Sequence, residues 1–72
     1  MIIIDTIQSV IHKRKYTWIK VDNKTYKVPL SNLYYAALEA NLMPYVLIHG
    51  YSGLNVNLEP TEKHWKVIKI EK

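Results

Sequence analysis

The sequence predicts a small, mainly β member of the α+β class: a single domain over residues 1–72, a barrel or half-barrel of strands carrying one helix at about residues 32–41. Three observations predict it. Tyr16 to Val21 and Thr25 to Val28 alternate apolar and polar side chains on either side of Asp22-Asn23, the pattern of a β-hairpin. The clearest helical periodicity is confined to one stretch, Leu33 to Ala40. And 72 residues can bury one core, of a size that leaves stability at a few kcal/mol.

Taken in order, residues 2–12 (IIIDTIQSVIH) carry two signals. Ile3, Ile7, Val10 and Ile11 recur at helical spacing, and Asp5 with Gln8 would suit a capped helix start. Most of the segment is β-branched, however, which favours a pleated surface. Neither alternation register is clean, so the expectation is one long strand that changes its buried face at a bend. Lys13-Arg14-Lys15 forms a basic loop. In the hairpin, Asp22 and Asn23 both tolerate positive φ, and a two-residue turn there sets Ile19 opposite Tyr26, Thr17 opposite Val28 and Trp18 opposite Lys27. Thr17, Ile19 and Val21 share the apolar face; Tyr16, Trp18, Lys20, Thr25 and Lys27 share the other.

Pro29 ends the ladder by removing a donor, and Ser31 or Asn32 is the expected cap of the helix. Leu33, Ala37 and Ala40 align on its inner face, Asn41 suits a left-handed C′ position with Leu42 as its apolar contact, and Pro44 is a stop. Tyr45 to His49 is an apolar run of strand length, expected to be buried on both faces. Gly50 to Gly53 is a turn, Leu54 to Leu58 a strand with its asparagines outward, and residues 59–63 a loop. His64 to Glu71 closes the chain as a strand whose change of face implies a bulge or a covered barrel strand.

Composition narrows the function classes. There is no cysteine, so disulfides are excluded and a reducing compartment is suited. MIII lacks the flanks of a signal segment, and no run has the roughly 18–20 apolar residues of a membrane span; the expectation is a soluble, cytoplasmic protein with no membrane partner. Net charge is +4, and it is uneven. Residues 1–29 hold six lysine or arginine residues against two aspartates, residues 30–58 only Glu39, and residues 59–72 four lysines against three glutamates. A positive surface so clustered attracts polyanions, although charge of this size is also ordinary solubility charge.

The order β-β-β-α-β-(β)-β is similar to that of OB-fold barrels, where a helix sits between the third and fourth strands; SH3-like barrels are the nearest alternative. That resemblance covers the whole chain as an order of elements, with no family motif. It implies a ligand crossing the second and third strands between two loops, here Tyr16–Val28 flanked by Lys13–Lys15 and His49–Lys63.

Catalysis finds little support. His12, His49 and His64 lie on separate elements without ligand spacing, so no metal and no other cofactor is expected. Gly50-Tyr51-Ser52-Gly53 lacks the final glycine of G-x-S-x-G, and the acids are dispersed. The expected function is therefore a non-enzymatic binding module, first as a small accessory protein docking on a larger protein. Its richness in Ile, Lys, Asn and Tyr fits a phage, virus or plasmid product of an AT-rich host. Tyr35, Tyr51 and Trp65 are candidate protein-contact aromatics, and a homodimer through a strand edge is a variant. The alternative is single-stranded nucleic-acid binding by Lys13, Arg14, Lys15, Tyr16, Trp18, Lys20, Lys24 and Lys27, the aromatics stacking bases and the cations meeting phosphates. An aromatic opposite a lysine is also what a plain cross-strand pair looks like.

Overall fold

Residues 2–12 are two strands, not one. In the computed structural model, which describes residues 1–72, β1 spans Ile3–Thr6 and β2 Ser9–Lys13, with Ile7 and Gln8 at a bend between them. The bend hands the chain from one sheet to another. Ile7 N–H donates to Leu54 O at 2.8 Å and its carbonyl accepts from Gly53 N–H at 2.8 Å, whereas Gln8 N–H donates to Lys20 O at 2.8 Å. Gln8 then locks the corner: its carbonyl accepts from Ser52 Oγ at 2.8 Å and its side-chain Oε1 from Asn23 N–H at 3.0 Å. This is the change of buried face that the mixed periodicity implies, with Ile7 fully buried at the corner.

The remaining strands are β3 (Tyr16–Val21), β4 (Lys24–Pro29), β5 (Asn55–Pro60) and β6 (Trp65–Glu71), and they form two three-stranded antiparallel sheets, β1-β5-β6 and β2-β3-β4. The β3–β4 register is the one the turn dictates, with Trp18 opposite Lys27 and Ile19 opposite Tyr26. Asp22 and Asn23 have φ of 50° and 62°, the paired left-handed residues of a two-residue hairpin turn. In β5–β6 the register shifts between Asn57 and Leu58, which leaves Ile68 unpaired. This bulge is why Val67 and Ile70, three apart, both reach the core.

No closed barrel forms. β4 and β6 run side by side without a hydrogen-bonded ladder, and helix α1 (Leu30–Glu39) occupies the free edge of β6 instead. Asn32 does this with its carboxamide: Val67 N–H donates to Oδ1 at 2.6 Å, and Nδ2 donates to Val67 O at 3.1 Å. One side-chain amide thus replaces the peptide of a neighbouring strand. Asn32 is consequently no helix cap, and neither is Ser31; the N-cap position belongs to Pro29, with no side-chain cap bond. At the other end Asn41 has φ of 59° and Leu42 N–H donates to Ala37 O at 2.9 Å, a Schellman closure.

The larger correction concerns Tyr45 to His49. These residues are not a strand but part of a second helix, α2 (Met43–His49), and none of its side chains is fully buried. Pro44 lies in its first turn, where a fixed φ and a missing N–H favour a helix start as readily as a stop. Gly50, at φ 76°, ends it. Met43, Tyr45 and Val46 lean on the core while Leu47 and Ile48 stand 80% and 78% exposed. The core itself joins Ile19, Val21 and Val28 of one sheet to Val56, Leu58, Val67 and Ile70 of the other, with Leu33 and Ala37 of α1 against them. Thr17 is the one fully buried polar residue, and its hydroxyl is bonded to His12 Nδ1 at 2.9 Å.

Candidate functional site

Because Thr17, Ile19 and Val21 point into the core, strand geometry turns Tyr16, Trp18 and Lys20 to the opposite face. Neither Tyr16 nor Trp18 belongs to the side chains packed on the core. Across the sheet Trp18 is flanked by Ile11 on β2 and Lys27 on β4, and Tyr16 by Lys13 and Pro29. Lys27 links the two aromatics, its Nζ lying 4.2 Å from the Tyr16 ring centroid and 5.8 Å from that of Trp18. The basic loop is a tight turn: Lys13 pairs with Tyr16, leaving only Arg14 (φ 54°) and Lys15 outside the ladder. Leu30 N–H donates to Lys15 O at 2.8 Å and so fixes the turn to the start of α1.

The eight expected nucleic-acid residues divide here. Lys13, Arg14, Lys15, Tyr16, Trp18 and Lys27 line one concavity of about 500 Å³. Lys20 and Lys24 stand apart, towards the Asp22-Asn23 turn, opposite Thr25 and Val21 respectively. The only ion pair, Lys69 with Glu71 at 3.5 Å, lies on β6, so no carboxylate neutralises the cations of the concavity. His64, from the β5–β6 loop, places its ring 6.1 Å from Tyr16 and borders the same face.

A second concavity of about 820 Å³ adjoins the first and shares Lys15 and Tyr16 with it. Its walls are the start of α1, with Tyr34 and Tyr35, and the α2 residues Met43, Val46 and Leu47. The three candidate contact aromatics fare differently. Tyr35 is exposed and lines this groove; Tyr51 is 7% exposed and serves as groove floor; Trp65 is half-buried against Tyr26, ring centroids 4.8 Å apart. Burial pushes the Tyr51 hydroxyl pKa above its ordinary value, helped by the neighbouring Tyr34. The groove is what strand assignment of residues 45–49 hides. Its signal was the helical spacing of Met43, Val46 and Leu47, with Pro44 in the first turn and Gly50 at the end.

The three histidines occupy separate places, His12 on Thr17, His49 against Tyr45 and His64 in the Thr61 turn. No helix is long and apolar enough to cross a membrane. No protein-family model, curated protein or solved structure matches the chain. What the site can do is therefore a matter of its own geometry.

Proposed function

We propose that this chain is a non-enzymatic binding module that takes single-stranded nucleic acid across the outer face of β2, β3 and β4. One observation carries the reading: Tyr16 and Trp18 stand on that face around Lys27, ringed by Lys13, Arg14 and Lys15, with no acid to compete for the cations. Bases stack on such aromatics for about 1–3 kcal/mol each, with little sequence preference, while the cations follow the phosphates. The strand order supports the same reading. Two short strands split between the sheets at a corner, a hairpin, two helices and a final pair of strands resemble an open, OB-like half-barrel with one added helix. In that arrangement the expected path crosses β3 and β4 between Lys13–Lys15 and the loop that carries His64. The test is an amide-shift titration with a mixed-sequence single-stranded DNA and its RNA counterpart at about 50 mM salt, where phosphate contacts are strong. Shifts gathered on Lys13–Lys27 and His64 are expected; their absence in both titrations refutes the reading.

The second reading is docking on a larger protein, and Leu47 and Ile48 favour it. Two consecutive aliphatic residues of one short helix are about four-fifths exposed, and Leu47 lines the same groove as exposed Tyr35, which makes an apolar surface of the kind partners cover. Under that reading the oligonucleotides leave the spectrum unchanged.

A further inference from the structure

We propose that the tyrosine-lined groove beside the basic face is a base-binding subsite, reached by the same strand as it passes over Tyr16. The inference rests on the nucleic-acid reading and extends it to a place that the strand order alone does not indicate. Continuity is the first argument. Lys15 and Tyr16 belong to both concavities, so a strand leaving Trp18 along the row of cations meets the groove without crossing a barrier. Lining chemistry is the second. Tyr16, Tyr34, Tyr35 and Tyr51 all contribute, which gives flat apolar faces with hydroxyls at their tips. His12 adds a ring whose Nδ1 is occupied by Thr17, leaving Nε2 for a base edge. Charge is the third: Lys15 is the sole charged residue in the lining, and no acid repels a phosphate at the rim. A volume of about 820 Å³ lies within the range of about 300–1,000 Å³ usual for small-ligand sites. It is ample for a nucleoside.

The experiment compares the oligothymidylates dT3 and dT8 on the wild type, on Tyr34→Ser and Leu47→Glu, and on Trp18→Ala. Tyr34 and Leu47 are exposed on the helices, so both groove variants are expected to keep the wild-type amide spectrum elsewhere. On the wild type, dT8 should bind at least tenfold more tightly than dT3 and should shift residues 30–35 and 43–51 in addition to 13–27. Both groove variants should lose most of that gain and leave dT3 affinity unchanged, whereas Trp18→Ala weakens both lengths. If dT8 binds the groove variants as tightly as the wild type, with shifts confined to 13–27, the subsite is refuted while the basic-face reading stands. If neither oligonucleotide binds the wild type, both fall together.

Discussion

Trp18 separates a binding role from a structural one. It sits opposite Lys27 and Ile11 on the outer face and takes no part in the core, so its removal costs only cross-strand contacts. Such pairs are worth about 0.2–1 kcal/mol. Trp18→Ala should therefore stay folded, with a thermal midpoint lowered by only a few degrees, and lose oligonucleotide binding; a variant that unfolds would place Trp18 in the core after all. Tyr51 makes the opposite case. Burial, then Tyr34, raises its pKa above 10.0, so its protonated form is favoured in the folded chain. Its contribution is intact below pH 10 and is lost as pH rises through the raised folded value, because the unfolded chain gives up its proton first. Urea midpoints at pH 9 and pH 11 should show a shallower alkaline decline for Tyr51→Phe than for the wild type. Alternation put Trp18 on the face opposite Thr17 and Ile19, but left open whether that face met solvent or another element. The burial of Tyr51 was not, since a glycine-flanked tyrosine in a turn carries no periodicity.

At the scale of elements, Asn32 holds α1 to β6 by two bonds to one residue, and both Val67 groups lose their partner if it is shortened. Asn32→Ala should cost about 1–3 kcal/mol, read from urea unfolding, and speed amide exchange at Val67. An equal cost from Ser31→Ala would mean that capping, not edge pairing, is what α1 needs. The hairpin was legible down to its register, because turn length and a period of two leave one solution. The bulge was legible as a conflict of faces, though not its position at Ile68. Helix α2 was not. A five-residue apolar run has the length of a strand, and what distinguishes the two states is Pro44, tolerated in a first turn, together with core contacts at Met43 and Val46, three residues apart. The basic half of the candidate site could thus be read directly, while the groove depended on a helix that tertiary packing decides. Asn32 likewise reads as a cap from sequence, because nothing local announces a bond to a residue 35 positions away.

For the whole molecule the relevant quantity is where the charge of +4 sits. Fold geometry concentrates four cations, Lys13, Arg14, Lys15 and Lys27, at one end of the β2-β3-β4 sheet and leaves Lys20 and Lys24 towards the other. If phosphates are met only at the first end, affinity should fall with salt by about 0.7 of a log unit per log unit of salt for each contact, hence a slope of about −3 for four. Lys27→Gln should then make the slope shallower by about 0.7 and also weaken binding through its loss from between Tyr16 and Trp18. Lys20→Gln and Lys24→Gln should leave the slope where it was, although each removes the same unit of net charge. The measurement is anisotropy of a labelled dT8 from about 50 to 200 mM salt for the three variants. Equal changes in all three would mean that the protein attracts nucleic acid by net charge alone, without a site. A selective change at Lys27 ties the long-range field to the same few side chains that the fold brings around Tyr16.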